Sequence, residues 1–124
     1  MKKNIIAGYN ISCVGDNRTY SFLPSRNGNT ISDNAALNLL KWKIKKFKRY
    51  TWADRGSDER QYCAPGIDLP VASIMRSKYG EYPEYHTSLD KLGKVVTSEG
   101  LENSYILYTE LFKILENNCY PKTN

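Results

Sequence analysis

Apolar residues recur along this chain at two spacings, and those spacings divide it into strands, helices and polar connections. Ile5 to Val14 mixes apolar with small residues and closes at Gly15-Asp16-Asn17, the pattern of a strand running into a tight turn. Tyr20 to Leu23 predicts a second short strand, and the Ser, Arg, Asn and Gly residues from Pro24 to Thr30 predict a loop. Leu37, Leu40, Ile44 and Phe47 then step by three and four, as one face of a helix does, with Ser32 or Asp33 placed to cap its free N–H groups. Arg49-Tyr50-Thr51-Trp52 reads as a short strand leaving that helix, and Asp54 to Gly66 as polar loop. Pro70 suits the start of a strand better than its centre, so the next strand is expected at 71–75, followed by a loop from Lys78 to Asp90. Thr97 or Ser98 caps the last helix. Its Leu101, Tyr105, Tyr108, Phe112, Leu115 and Cys119 form a stripe expected to face the core, and Pro121 ends it. The order strand, helix, strand, strand, helix favours α/β layering, with helices covering a sheet.

Composition adds bounds. A chain of 124 residues, 40% hydrophobic and 25% charged, reads as one globular domain or part of a larger one. The net charge of +5 is concentrated in Lys41, Lys43, Lys45, Lys46, Lys48 and Arg49. That run reads as the solvated face of the first helix. No recognition helix or base-stacking aromatic signature accompanies it, so nucleic-acid binding is not expected. No segment approaches the roughly 18 apolar residues that span a membrane. Cys13, Cys63 and Cys119 are odd in number and lack paired metal-site spacing. With no secretory leader in view, free thiols in a reducing cytoplasm are expected.

Candidate chemistry centres on the only histidine. His86 sits in a loop rich in Pro and Tyr, with Asp90 four residues on as a partner for its second ring N–H. A lone histidine is more often an ordinary surface or hydrogen-bonded residue than a ligand. Asp16 lies in the turn after the first strand, where ligands gather in α/β folds, although local backbone bonding explains it as well. Asp58, Glu59 and Arg60 form a charge cluster that reads either as an exposed loop or as groups facing a polar substrate. With one histidine and no nucleophile elbow, the sequence gives no ground for a Ser-His-Asp arrangement, and no glycine-rich phosphate loop occurs.

Three motifs carry a resemblance. Cys13-Val14-Gly15-Asp16-Asn17-Arg18 with Leu23-Pro24-Ser25-Arg26 is the first. Asp54-Arg55-Gly56-Ser57-Asp58-Glu59-Arg60-Gln61-Tyr62-Cys63 is the second, and Met75 to Asp90, which contains Tyr85-His86-Thr87, is the third. Together they resemble the final portion of bacterial zinc aminopeptidase-like proteins, relatives of zinc exopeptidases often encoded beside polysaccharide-biosynthesis genes. The resemblance implies the C-terminal portion of a three-layer α/β/α sandwich with a mixed sheet. It also implies zinc as cofactor and a small peptide-like substrate. In it His86 corresponds to the last zinc ligand and Asp16 to a second, more loosely matched one. Asp58, Glu59, Arg60, Tyr85 and Asp90 would orient ligands or contact substrate.

The family's other ligands, a histidine, an aspartate and a pair of glutamates that includes the general base, lie well before the matching region. They are not expected within these residues, where the first matching strand follows directly on Met1-Lys2-Lys3. The chain alone is therefore expected to bind zinc weakly or not at all and to lack peptidase activity. The alternatives are a catalytically dead binding or structural module, and one chain of a split metallohydrolase. Uncovered sheet edges predict a homodimer, or a complementary chain carrying the missing ligands.

Overall fold

The computed structural model describes residues 4–118, so Cys119 and Pro121 lie outside it. The elements run β1 (Gly8–Tyr9), β2 (Ser21–Leu23), α1 (Ile31–Leu39), β3 (Lys48–Arg49), α2 (Glu59–Tyr62), β4 (Val71–Met75) and α3 (Ser98–Glu116). The four strands form one mixed sheet in the order β1-β4-β2-β3, with β1 parallel to β4, β2 antiparallel to β4, and β2 parallel to β3.

Strand alternation assigns the two faces. Phe22, Ala72 and Ile74 point to the side where α1 and α3 pack, with Leu37, Leu40, Leu107 and Leu111 completing that core. Leu23 and Met75 point to the other side, where Tyr79, Tyr50 and Trp52 cover them and α2 lies against β4.

The first predicted strand is interrupted by a bulge. Asn10 N–H donates to Ala72 O at 2.9 Å, and Arg76 N–H donates to Cys13 O at 2.8 Å. Between these bonds the chain leaves β4. Ile74, stranded there, is satisfied by Tyr108 instead: the Tyr108 hydroxyl donates to Ile74 O at 2.6 Å and accepts from Ile74 N at 3.3 Å. Cys13 turns the chain through a left-handed conformation, φ 51°. Such bulges re-aim side chains next to functional sites.

The first helix is capped by Thr30, not by Ser32 or Asp33. Thr30 N–H and Oγ1–H both donate to Asp33 Oδ2, at 2.9 and 2.7 Å, and Thr30 Oγ1 accepts from Asp33 N, a complete capping box. Asp33 also accepts from Ser25 N and Ser25 Oγ, and so ties the preceding loop to the helix. Ser32 instead accepts from Gly8 N and donates to Pro70 O, joining helix and sheet. The helix relaxes into a π turn at Leu40–Ile44 and stops at Lys45, φ 64°, so Phe47 falls beyond it. The next strand comes one residue early, and Trp52–Asp54 form a 3-10 turn where strand was expected to continue. The strand at 71–75 and the loop after Lys78 fall where the pattern puts them.

Thr97 caps α3 by accepting from Gly100 N at 2.9 Å. The buried face of α3 is Gly100, Ser104, Leu107, Tyr108 and Leu111, shifted by one residue from most of the expected stripe, of which Tyr108 is in the core and Leu115 packs against it. Leu101, Tyr105 and Phe112 are exposed. The reason is a close approach of the helix to the turn after β1. Thr97 N–H donates to Gly15 O at 2.9 Å and Ser104 Oγ–H to Val14 O at 2.7 Å. Only small residues fit against that turn.

Candidate functional site

The bulge, the turn at Gly15–Asp16 and the 82–96 loop enclose an open cleft of about 550 Å³. Ser12, Cys13, Val14, Gly15 and Asp16 line one side, while Tyr82, Tyr85, His86 and Asp90 line another, with Ser57, Val95, Val96 and Leu101 completing the lining. Four residues singled out from sequence thus converge: His86, Asp16, Tyr85 and Asp90.

His86 is exposed and left-handed, φ 59°, with its ring stacked on Tyr85 at 3.9 Å and 19°. Cys13 and His86, two non-glycine residues at positive φ, therefore border the same cleft. Backbone of this kind costs about 1–3 kcal/mol and collects at functional sites. The loop is held from three directions. Tyr82 hydroxyl donates to Asp90 Oδ2 at 2.8 Å and also reaches Cys13 Sγ at 3.8 Å. Arg18 donates both terminal nitrogens to the Glu84 carboxylate, at 3.0 and 2.7 Å. Tyr82 and Tyr85 meet edge to face at 5.6 Å. The expected partnership of Asp90 with the histidine ring is replaced by this bond from Tyr82. Burial, followed by the bonds to Asp90 and Cys13, pushes the Tyr82 hydroxyl well above the usual phenol range, so it stays a donor at neutral pH.

Asp16 is buried and already engaged. Its Oδ1 accepts from Arg18 N and Ser77 Oγ, both at 2.9 Å, and its Oδ2 accepts from Ser77 N at 2.7 Å. Arg76, stacked 3.8 Å over the Tyr20 ring, donates to Asp16 O and Asn17 Oδ1 and locks the same turn.

The charge cluster separates. Asp58 and Arg60 are exposed and lie outside the cleft lining, which takes Ser57 instead. Glu59 is fully buried beneath it. Its Oε1 accepts from Gly56 N and Ser57 N, both at 2.9 Å, and from Tyr79 hydroxyl at 2.6 Å, while Oε2 accepts from Asn10 at 2.8 Å. Burial opposes its ionisation, but the bonds from Tyr79, Ser57 and Gly56 outweigh that and hold the carboxyl below the usual glutamate range. Glu59 positions the cleft without facing it. Sequence reasoning did not single out Ser12, Cys13, Ser57 or Tyr82 as cleft residues. Tyr82 precedes His86 by one helical turn in number only, inside a loop that has no period to reveal it.

Metal-assisted hydrolysis needs about three protein ligands, an open position and a base. Among the described residues no three His, Cys, Asp or Glu side chains are grouped to hold an ion. The cleft offers one imidazole, the Cys13 thiol contacted by the Tyr82 hydroxyl, a carboxylate engaged by Ser77 and Arg18, and a carboxylate bound to Tyr82, and the described residues do not bring three such groups together around one ion position, so by themselves they do not fit zinc. Cys13 and Cys63 are free thiols. No helix among the described residues is long and apolar enough to cross a membrane.

Comparison with known proteins places this geometry. A Clostridium acetobutylicum protein, provisionally named a polysaccharide biosynthesis protein with an aminopeptidase-like domain, is 38% identical over 116 residues. The match covers 94% of this chain and 26% of that protein. The crystal structure of a C. acetobutylicum protein, provisionally named a peptidase, superposes with a TM-score of 0.85 at 34% identity. It covers 97% of this chain and 30% of the other, so the present chain spans under a third of either relative and corresponds to a C-terminal part. A family model described as a domain of unknown function, DUF4910, matches residues 1–118, and the chain belongs to that family.

Proposed function

We propose that this chain is the C-terminal segment of a zinc-dependent, aminopeptidase-like hydrolase, supplying one wall of its cleft and inactive by itself. The observation that carries the reading is the convergence of His86, Asp16, Tyr85 and Asp90 on one cleft that holds a single imidazole. The names of the two relatives support the peptidase-like class. The four-stranded sheet would then be part of a larger three-layer α/β/α sandwich.

On this reading His86 contributes one ligand to a metal site whose other ligands and base lie outside these residues. Asp16 shapes the floor of the cleft through its bonds to Ser77 and Arg18. The Tyr82 and Tyr85 rings form an apolar wall for a substrate side chain. Free Cys13 and Cys63 fit a reducing compartment.

A second reading, binding without catalysis, is favoured by that aromatic wall beside an exposed histidine. Incubation with aminoacyl reporter substrates and added zinc separates the readings from an intact enzyme. The expected result is release no faster than in a zinc-only blank. Robust release by the purified chain, abolished by His86→Ala, would overturn both.

A further inference from the structure

The outward flank of α3 carries an apolar groove of about 320 Å³, bordered by Ile11, Val14, Leu101, Tyr105, Tyr108 and Phe112, with no charged side chain in its lining. Four of these are exposed: Ile11 by 54%, Leu101 by 41%, Tyr105 by 73% and Phe112 by 44%. A clustered apolar surface of this kind marks an interaction site more often than solitary exposed residues do. Beside it, β1 is an edge strand, bonded to β4 on one side and with no strand on the other among the described residues. Parallel strands are joined through crossover helices that lie on the face of the sheet. A polypeptide adding a parallel strand to β1 would bring a crossover helix to a face of the sheet, and on the α3 face the exposed apolar groove is the surface that such a helix would cover.

Resting on the reading above, we infer that β1 and the Leu101–Tyr105–Phe112 flank form the seam for one occupant, a polypeptide equivalent to the part of the C. acetobutylicum relatives outside the match. That part makes up most of each relative, since the match covers 26% of one and 30% of the other. The seam is continuous with the cleft, because Val14 and Leu101 line both. The occupant thus forms the opposite wall of the cleft as it covers the groove.

The test is co-expression of the full 124-residue chain with the unmatched portion of the 38%-identical relative, followed by native mass spectrometry and zinc analysis. A one-to-one complex is expected. Leu101→Glu with Tyr105→Glu should weaken it at least tenfold, as should Phe112→Ser, while Trp42→Ala, at another exposed apolar position, should not. Circular dichroism of the free variants confirms that they fold. Absence of a complex, a complex indifferent to the seam substitutions, or a homodimer broken by them overturns the seam. A seam-dependent complex without bound zinc upholds the seam and removes the zinc reading instead.

Discussion

Glu59→Ala is expected to cost about 3–5 kcal/mol, because it strips the acceptor from two backbone N–H groups, the Tyr79 hydroxyl and the Asn10 amide in one step. Against a typical domain stability of about 5–15 kcal/mol, that brings the protein close to unfolding. Urea denaturation measures the loss, and Tyr79→Phe, which removes one donor, should cost only about 1 kcal/mol. The same group sets a pH dependence. Its folded pKa lies below its unfolded value, so its contribution is complete above the unfolded value of about 4.3 and disappears as the pH falls through the folded one. Wild type should therefore lose stability more steeply than Glu59→Gln as the pH falls below about 5. Parallel pH profiles would show that Glu59 does not anchor the loop as a carboxylate.

Gly100→Ala should cost about 2–3 kcal/mol despite gaining about 1 kcal/mol of helix propensity. A β-carbon at this position would sit 2.2 Å from Gly15 O and 2.7 Å from Asp16 O. Those atoms are backbone, and they cannot withdraw without breaking the bonds that Thr97 and Ser104 make to the same turn. Thermal unfolding should show a drop of roughly 10 °C. An unchanged or raised melting temperature would mean that α3 does not clamp the floor of the cleft.

Gly100 also explains which parts of the fold were legible. The sequence pattern located α3, a cap at Thr97 or Ser98 of which the structure uses Thr97, and β4, because each has a local signal: a capping residue, a helical period, or an apolar run after Pro70. The expected stripe is right at Tyr108 and Leu115 but one residue off elsewhere, because apolar Leu101, Tyr105 and Phe112 lie next to the equally apolar Leu107 and Leu111, and contact of Gly100 and Ser104 with the Gly15 turn decides between them. Hydrophobicity identifies a surface that needs cover, not the neighbour that covers it. The first strand shortened for a similar reason. Nothing local announces that Cys13 will turn left-handed or that Tyr108, far along the chain, will fill the gap. The Thr30 capping box is present in Thr-Ile-Ser-Asp, two to three residues before the caps expected at Ser32 or Asp33.

Among the candidate site residues, those in the turn after β1 and in the Tyr85–Asp90 segment converged, since both segments lie at the same end of the sheet. Asp58, Glu59 and Arg60 did not act as a unit. Consecutive residues at the start of a short helix point in different directions, and burial selected Glu59 for the interior.

Zinc stoichiometry of the purified chain tests the central claim most directly, namely that one imidazole, one thiol and two engaged carboxylates, not grouped around one position, make only part of a metal site. After zinc loading and passage through a chelating column, plasma mass spectrometry should find far less than one zinc per chain, with or without His86→Ala. One zinc per chain that survives the column and is lost in His86→Ala would contradict the account.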